Sequence, residues 1–165
     1  MKTIILVRHA KSSWDNPDWT DFDRPLNKRG LADAPIMASI ISSHINKPDI
    51  FYSSTANRAL TTAEFFADAF RINHDEIKKE INIYEKGSKH INSLISSLDD
   101  KLNSVIFFGH NPDMTSLATY FTGAYFENVP TCGVVCIDFE CVSWAEVKQV
   151  NGKLRFFKTP KNSII

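Results

Sequence analysis

Residues 3–10 read Thr-Ile-Ile-Leu-Val-Arg-His-Ala, a short β-branched and apolar run followed directly by an arginine and a histidine. A continuous apolar run of this length is typical of a strand that is buried on both faces, as in parallel sheets. It is too short for a signal peptide or a membrane span, so we expect neither in the N-terminal residues. The stretch predicts a buried strand over 3–7, with Arg8 and His9 at its carboxyl end.

Helical patterns alternate with strand patterns along the rest of the chain. A polar loop over 11–27 precedes a predicted helix from Gly30 to about Ile45. Further helices are predicted from a cap at Thr55 to Phe70, from Ser88, and from Asn111–Pro112, where Asn is the cap and Pro the first helical residue.

The remaining apolar and β-branched runs predict strands, and the last two form a hairpin with Asn151–Gly152 as its tight turn. The predicted strands are Asp49–Ser53, Ile81–Tyr84, Ser104–Phe108, Val134–Phe139, Ser143–Val150 and Leu154–Lys158. Alternating strands and helices indicate an α/β fold, a mostly parallel central sheet with helices on both faces.

Composition limits the classes of function. The chain of 165 residues has 43% hydrophobic residues, and 19 Lys and Arg balance 19 Asp and Glu. We expect a single domain over 1–165 and neither nucleic acid nor a membrane as partner, because no basic block is present. The three cysteines, Cys132, Cys136 and Cys141, imply no disulfide framework and favour buried strand positions over a metal site. They indicate a reducing, cytoplasmic setting.

Charged and imidazole side chains follow three of the predicted strands. Arg8 and His9 follow the first strand, Arg58 lies in the first turn of the helix after the second, and His110 follows Ser104–Phe108. In an open α/β sheet, ligands bind outside the carboxyl ends of the strands. We therefore expect these four side chains to meet at one edge of the sheet.

This set of side chains is suited to phosphoryl chemistry. Arginine binds phosphate oxygens in bidentate fashion, and helix N-termini favour anions. One imidazole can attack phosphorus, and the other can donate a hydrogen bond to the charge that develops on the phosphoryl oxygens. The sequence predicts a phosphohistidine intermediate that water then hydrolyses. We expect no metal and no cofactor, because the arginines and helix ends supply the positive charge.

Four segments, in order along the chain, carry a family resemblance. They are Leu-Val-Arg-His-Ala-Lys-Ser (6–12), Arg-Pro-Leu-Asn-Lys-Arg-Gly (24–30), Ser-Ser-Thr-Ala-Asn-Arg-Ala (53–59) with Thr-Thr-Ala (61–63), and Phe-Gly-His-Asn-Pro (108–112). They resemble the signature segments of the histidine phosphatase, or phosphoglycerate mutase-like, superfamily. The last resembles the small SixA-type phosphohistidine phosphatases. The resemblance covers residues 4 to about 120 and implies a phosphoglycerate mutase-like fold.

The resemblance also implies roles for individual residues. His9 is the expected nucleophile, and Arg8, Arg58 and His110 complete the expected phosphate pocket. Weaker substrate-binding or loop roles fall to Ser12, Asp15 and Asn111. Ala10 stands where the signature usually has Gly, and Asp15 stands where the mutase branch has Asn.

The general acid is the open question. Phosphomonoesterases protonate a strongly basic leaving alkoxide, and Glu85 is the nearest candidate by position, with Asp18, Asp21 and Asp23 as others. A leaving imidazole is a weaker base with a pKa near ~6.5, so it needs such an acid less. The 52 residues from Arg58 to His110 leave little room for a large cap insertion. We therefore expect a shallow pocket, with the loop around Trp14 as one rim.

The sequence thus predicts a metal-independent phosphatase. Its expected substrate is phosphohistidine on a protein, and inorganic phosphate is the product. A phosphomonoesterase acting on a small metabolite or nucleotide stays open, as does a phosphate-binding module without turnover.

Overall fold

The structure is a computed structural model that describes residues 1–163, and six strands form one sheet. The strands are β1 (Lys2–Arg8), β2 (Ile50–Ser53), β3 (Ile77–Lys79), β4 (Ser104–Gly109), β5 (Val134–Phe139) and β6 (Lys153–Lys158). Their spatial order is β3-β2-β4-β1-β5-β6. The three pairings among β3, β2, β4 and β1 are parallel, whereas β1–β5 and β5–β6 are antiparallel. The predicted α/β fold with a mostly parallel sheet is confirmed.

Helices cover both faces of this sheet. The helices are α1 (Lys28–His44), α2 (Asn57–Ala69), α3 (Ile81–Glu85), α4 (Ser88–Ser96), α5 (Asp113–Thr122) and the short α6 (Pro160–Ser163). Ile5 and Val7 of β1 pack in one apolar cluster with residues of α1 and α2, and Ile4 and Leu6 pack in a second cluster with residues of α3, α4 and α5. Because successive side chains of a strand point to opposite faces, a strand covered on both sides has an uninterrupted apolar sequence.

The third strand lies four residues before its predicted position. The segment predicted as a strand, Ile81–Tyr84, belongs to α3, and β3 pairs with β2 instead. The prediction over 81–84 was wrong because β3 is an edge strand with little apolar pattern. Only Ile77 of β3 is buried, and the two lysines that follow it are exposed, as is common on sheet edges.

The predicted strand Ser143–Val150 is also wrong. Trp144–Gln149 forms a 3-10 helix, in which Trp144 and Val147 are buried at a spacing of three residues. Asn151–Gly152 is therefore not a two-residue hairpin turn, although β5 and β6 do pair antiparallel. Gly152 is required for packing, since a Cβ there would lie 2.7 Å from the Phe121 carbonyl oxygen.

The helix starts differ from the predicted caps by up to two residues. Asn27 caps α1 through its side chain, which accepts from the Gly30 N–H at 2.9 Å, so this helix begins before Gly30. Thr55 does not cap α2, which begins at Asn57 without a side-chain cap. Pro112 precedes α5, and the Asn111 side chain accepts from the Thr115 N–H instead.

Between α2 and β4 the chain forms a three-residue 3-10 helix, β3, and two helices of five and nine residues. This stretch contains no large cap insertion, as predicted. Along residues 1–163, no helix is both long and apolar enough to cross a membrane. The prediction of one domain over 1–165 stays a prediction, and residues 164–165 lie outside the described part.

The three cysteines are free and buried. Only Cys136 lies within a strand; Cys132 precedes β5 and Cys141 follows it. Burial raises the pKa of Cys132 and of Cys136 to about 12, so both thiols stay protonated and unreactive.

A buried lysine fixes the start of β1. Lys2 is 2% exposed, and its ammonium donates to the Asp100 and Leu102 carbonyls at 2.6 and 2.7 Å. The Lys2→Met substitution keeps most of the aliphatic stem but leaves the Asp100 carbonyl without this donor. We expect the free energy of unfolding to fall by about 1–3 kcal/mol, measured by urea denaturation. Lys153→Met, on the exposed edge of β6, is the matched control and should change it little.

Candidate active site

The ends of β1, β2 and β4 meet at one edge of the sheet. The parallel register places Arg8 beside Gly109 and Ser53 beside Phe108. Beyond the strands, the His9 N–H donates to the Gly109 carbonyl at 3.0 Å. The chain segments that carry the predicted site residues are therefore held side by side by main-chain hydrogen bonds.

The four predicted side chains come together at this edge. The rings of His9 and His110 lie 5.3 Å apart between centroids, and the Arg58 Nε is 3.3 Å from the His9 Nε2. His9, Arg58 and His110 are 5–9% exposed, while Arg8 is half-buried. The two histidines and Arg58 form one contiguous group, and Arg8 lies at its border with the segment around Val129.

The hydrogen bonds of His9 determine its tautomer. Its Nδ1 lies 2.7 Å from the Ala10 carbonyl oxygen, which can only accept, so Nδ1 carries the proton. Its Nε2 faces the Arg58 Nε–H, which can only donate, so Nε2 holds a lone pair. A histidine in this state presents one nitrogen as a nucleophile while the other fixes the orientation of the ring.

Arg58 is held on its far side by Asp21. Its Nη1 donates to the Asp21 main-chain carbonyl at 2.6 Å, and its Nη2 donates to the Asp21 Oδ2 at 3.1 Å. Both terminal nitrogens are thus anchored to the loop over 11–27, while Nε points to His9. Asp21 was one of several candidate acids in the sequence, and the structure places it in contact with Arg58.

His110 and Arg8 each have one buried nitrogen without a hydrogen-bond partner within residues 1–163. His110 Nε2 lies 2.8 Å from the Ser54 hydroxyl, and Arg8 Nη1 donates to the Val129 carbonyl at 3.1 Å. Two further nitrogens, His110 Nδ1 and Arg8 Nε, are buried and hydrogen-bond to nothing within residues 1–163. Buried donors without partners are costly, so such groups are typical of a site that binds an acceptor-rich ligand.

The site combines neutral imidazoles with positive guanidinium groups. Burial is the main cause that lowers the pKa of His9 to about 3 and that of His110 to about 4, and the charge of Arg58 lowers both further. Burial and then the charge of Arg58 also lower the pKa of Arg8, which stays protonated at neutral pH. An anion placed among Arg8, Arg58 and the imidazoles would relieve the repulsion between the arginines.

Asp21 remains ionised among these groups. Burial tends to raise its pKa, but hydrogen bonds from Tyr84, Arg58 and Arg24 and the charge of Arg58 outweigh that tendency and lower the pKa to about 2. Asp21 is therefore a carboxylate at neutral pH.

The three residues with weaker predicted roles, Ser12, Asn111 and Asp15, differ in what they contact. Ser12 is buried, and its hydroxyl accepts from the Arg24 Nη1 at 2.9 Å. The Asn111 amide donates to the Val129 carbonyl, the same oxygen that receives Arg8. Asp15 is exposed, and its main-chain N–H donates to the Ser13 hydroxyl. Ser12 thus contacts Arg24, and Asn111 shares the Val129 carbonyl with Arg8, whereas Asp15 lies on the outer surface of the loop.

Glu85 is exposed at the end of α3. Within the described residues it makes no hydrogen bond to His9, Arg58 or His110. The neighbouring Tyr84 is in the site instead. Its ring packs edge-on against His110 at 5.4 Å, and its hydroxyl donates to the Asp21 Oδ2 at 2.7 Å.

Sequence reasoning missed Tyr84, Arg24 and Ser54. Arg24 and Ser54 lie within two of the segments that carry the family resemblance, so a signal was present but no role followed from it. The sequence predicts Tyr84 in a strand, and this prediction gives no contact between Tyr84 and His110; in the structure Tyr84 lies in α3 and packs against His110. Arg24 also stacks on Trp14, with the guanidinium carbon 3.5 Å from the ring centroid, and Trp14 remains 72% exposed on the loop rim.

Comparisons with known proteins agree with this geometry. Residues 4–85 match the model of the histidine phosphatase superfamily (branch 1). The chain belongs to this superfamily and, within it, to the SixA-type proteins. Membership of this family supports phosphatase activity, a hydrolase reaction, for this chain.

Individual relatives cover nearly the whole chain. A crystal structure provisionally described as the phosphohistidine phosphatase SixA from Agrobacterium tumefaciens is 30% identical, with a TM-score of 0.82 over 96% of this chain and 98% of that chain. An uncharacterized, chloroplastic protein of Arabidopsis thaliana is 31% identical over 99% of this chain and 80% of its own length. The protein histidine phosphatase SixA complexed with tungstate shares the fold, with 17% identity and a TM-score of 0.75 over 97% of this chain and 98% of that chain.

The lowered pKa values predict how the histidines titrate. We expect the imidazole NMR signals of His9 and His110 to stay in the neutral form down to about pH 5 and to titrate near pH 4 or below. His74, whose pKa is raised by its hydrogen bond to Asp68, is the internal control and should titrate above 6.5.

The same lowered pKa values make the folding stability depend on pH. Histidines of the unfolded chain bind protons near pH ~6.5, so the stability that the neutral His9 and His110 contribute is complete above that pH and is lost on acidification toward pH 3. Titration of His9 near 6.5 would contradict the burial described.

Proposed function

We propose that this protein is a phosphatase in which His9 forms a covalent phosphohistidine. The observation that carries the proposal is the tautomer of His9: the proton on Nδ1 is held by the Ala10 carbonyl, and the lone pair on Nε2 lies beside Arg58. A neutral imidazole is already a nucleophile at neutral pH, so no separate base is needed to activate it.

The proposed reaction has two displacements at phosphorus. In the first, Nε2 of His9 forms the new P–N bond while the bond from phosphorus to the leaving group breaks. In the second, water attacks phosphorus, the P–N bond breaks, and inorganic phosphate leaves with His9 again neutral. Arg8, Arg58 and His110 are proposed to donate to the phosphoryl oxygens in both steps. The proposed donors include the unpartnered Arg8 Nε and, in the tautomer whose Nε2 accepts from the Ser54 hydroxyl, the His110 Nδ1.

We propose that the reaction needs no metal. Two guanidinium groups, Arg8 and Arg58, supply the positive charge that a divalent cation supplies in other phosphoryl-transfer sites. Ser12 and Asn111 are proposed to act by holding the pocket, through Arg24 and through the Val129 segment respectively. Asp15, on the outer face of the loop, is proposed to act on substrate approach.

The proposed substrate is phosphohistidine on a protein. The support is the state of the nearby carboxyl groups: Asp21 is ionised and fully hydrogen-bonded, Asp23 is bonded to the Thr20 hydroxyl, and Glu85 is exposed. A leaving imidazole, with a pKa near ~6.5, departs without a strong acid, whereas an alkoxide does not. A protein-borne phosphohistidine also suits a pocket without a large cap. We propose the cytoplasm as the setting, where the buried thiols stay reduced.

A substrate panel tests this proposal. Phosphate release is compared for a phosphohistidine-bearing carrier protein, an aryl phosphate and several alkyl phosphomonoesters, with and without EDTA. We expect fast release from the carrier, slow release from the alkyl esters, and no effect of EDTA. Faster release from the alkyl esters would move the function to a phosphomonoesterase with Glu85 or a loop aspartate as its acid. Binding without release from any substrate would indicate the non-catalytic module.

Substitutions in the site should have graded effects on turnover. We expect His9→Ala to abolish turnover and Arg58→Ala or His110→Ala to lower kcat/KM by about 100- to 1000-fold, since each removes a donor to the phosphoryl group. His74→Ala removes a surface histidine that pairs with Glu64 and Asp68, and it should leave kcat/KM unchanged. If purified His9→Ala turned over substrate as fast as the wild type, His9 would be excluded as the nucleophile.

A further inference from the structure

Asp21 accepts four side-chain hydrogen bonds although its side chain is half exposed. Its Oδ1 accepts from Arg24 Nε and Nη2 at 3.2 and 3.1 Å. Its Oδ2 accepts from Arg58 Nη2 at 3.1 Å and from the Tyr84 hydroxyl at 2.7 Å. A carboxylate has about four lone-pair positions, so all of them are occupied.

This arrangement connects three separate parts of the fold. Asp21 and Arg24 lie in the loop over 11–27, Arg58 lies in the first turn of α2, and Tyr84 lies in α3. Arg24 is itself buried and fixed by the Ser12 hydroxyl and by stacking on Trp14. Asp21 is therefore held in place from two sides and in turn holds Arg58.

The consequence for Arg58 is a single orientation. A guanidinium group has five N–H bonds in one plane. Asp21 takes one from Nη1 through its main-chain carbonyl and one from Nη2 through its carboxylate, which leaves Nε–H directed at the His9 Nε2. Without Asp21, this long side chain would have several rotamers of similar energy at the point where the phosphoryl group transfers.

The same contacts make Asp21 unsuited to be a general acid. All four of its acceptor positions face donors, so a proton on either oxygen would displace a hydrogen bond from an arginine or from Tyr84. Its role must come from its charge and its shape rather than from proton transfer.

We infer that Asp21 is a positioning residue for phosphoryl transfer, which orients the Arg58 guanidinium beside the His9 Nε2 through its carboxylate and its main-chain carbonyl. The inference rests on the proposed function, since it concerns how Arg58 meets the phosphoryl group. It assigns the loop over 11–27 a part in catalysis beyond that of a rim.

The Asp21→Asn substitution tests this inference, because it keeps the shape but turns an amide N–H₂ toward an arginine. We expect kcat/KM to fall by about 10- to 100-fold, as is typical when a reacting or binding group is misplaced. Because Arg58 meets the phosphoryl group that all substrates share, the factor should be the same for phosphohistidine, an aryl phosphate and an alkyl phosphate. A general acid would instead give a loss that grows with the pKa of the leaving group.

A double-mutant cycle identifies the partner. In the Arg58→Ala background, Asp21→Asn should cost less than about 2-fold more, because the group it positions is absent. Asp23→Asn is the matched control: this carboxyl lies in the same loop and accepts from the Thr20 hydroxyl, and among residues 1–163 no arginine is bonded to it. It should leave kcat/KM within about 2-fold of the wild type.

Phosphate binding gives a readout that does not depend on turnover. Removal of a negative charge close to two arginines would, by Coulomb attraction alone, tighten the binding of inorganic phosphate. Loss of the Arg58 orientation would instead weaken phosphate binding, so we expect calorimetry to give a larger Kd for Asp21→Asn than for the wild type.

A second variant serves where Asp21→Asn does not fold, as judged by circular dichroism. Tyr84→Phe removes one hydrogen bond to the same carboxylate, and we expect a smaller loss of kcat/KM, again uniform across leaving groups.

The outcomes separate this inference from the proposed function. A wild-type protein that hydrolyses no phosphorylated compound would overturn the proposed function, and the phosphate-binding result would still decide the role of Asp21. An active wild type with an unchanged Asp21→Asn variant, with a loss that follows the leaving group, or with full additivity to Arg58→Ala would overturn the inference alone.

Discussion

Parallel pairing of β4 with both β1 and β2 is the constraint on which the site depends. In this register Arg8 lies beside Gly109 and Ser53 beside Phe108, so the three chain segments leave the sheet at the same level. The main-chain bond from His9 to Gly109 extends the pairing one residue past the strand. A shift of one residue in the β1–β4 pairing would turn His9 and His110 toward opposite faces of the sheet, because side chains alternate along a strand.

Burial then sets the chemistry of the groups that this register gathers. The imidazoles of His9 and His110 are held neutral mainly because they are removed from water, and the adjacent arginines reinforce the effect. The same burial leaves donors of Arg8 and His110 without partners among the described residues. A site with neutral nucleophilic nitrogen, fixed positive charge and unpaired donors is complementary to a phosphoryl group, whose oxygens accept hydrogen bonds and carry negative charge. Asp21 and the loop around it contribute order, since they restrict the Arg58 guanidinium to one direction.

Much of this organisation could be predicted from the sequence. The apolar runs over 3–7 and 104–108 predicted two buried strands, β1 and β4 of the structure, and the residues that follow them include His9 and His110. Features that depend on one-sided burial were harder: β3 at the sheet edge exposes two lysines, and the segment after Ser143 is buried at a spacing of three rather than two. The contacts of Asp21 could not be predicted, because the loop over 11–27 has no periodic pattern, and Asp21 contacts Arg24 within this loop and Arg58 and Tyr84 from separate parts of the chain.

The most direct test of the central claim is a search for phosphate bound covalently to the enzyme after rapid quenching with a labelled phosphohistidine-bearing protein. The account predicts a label that is stable in alkali and labile in acid, as a phosphoramidate is, that maps by mass spectrometry to His9, and that is absent from His9→Ala. Equal labelling of His9→Ala, or turnover by a wild-type enzyme that never carries the label, would contradict a covalent mechanism at His9.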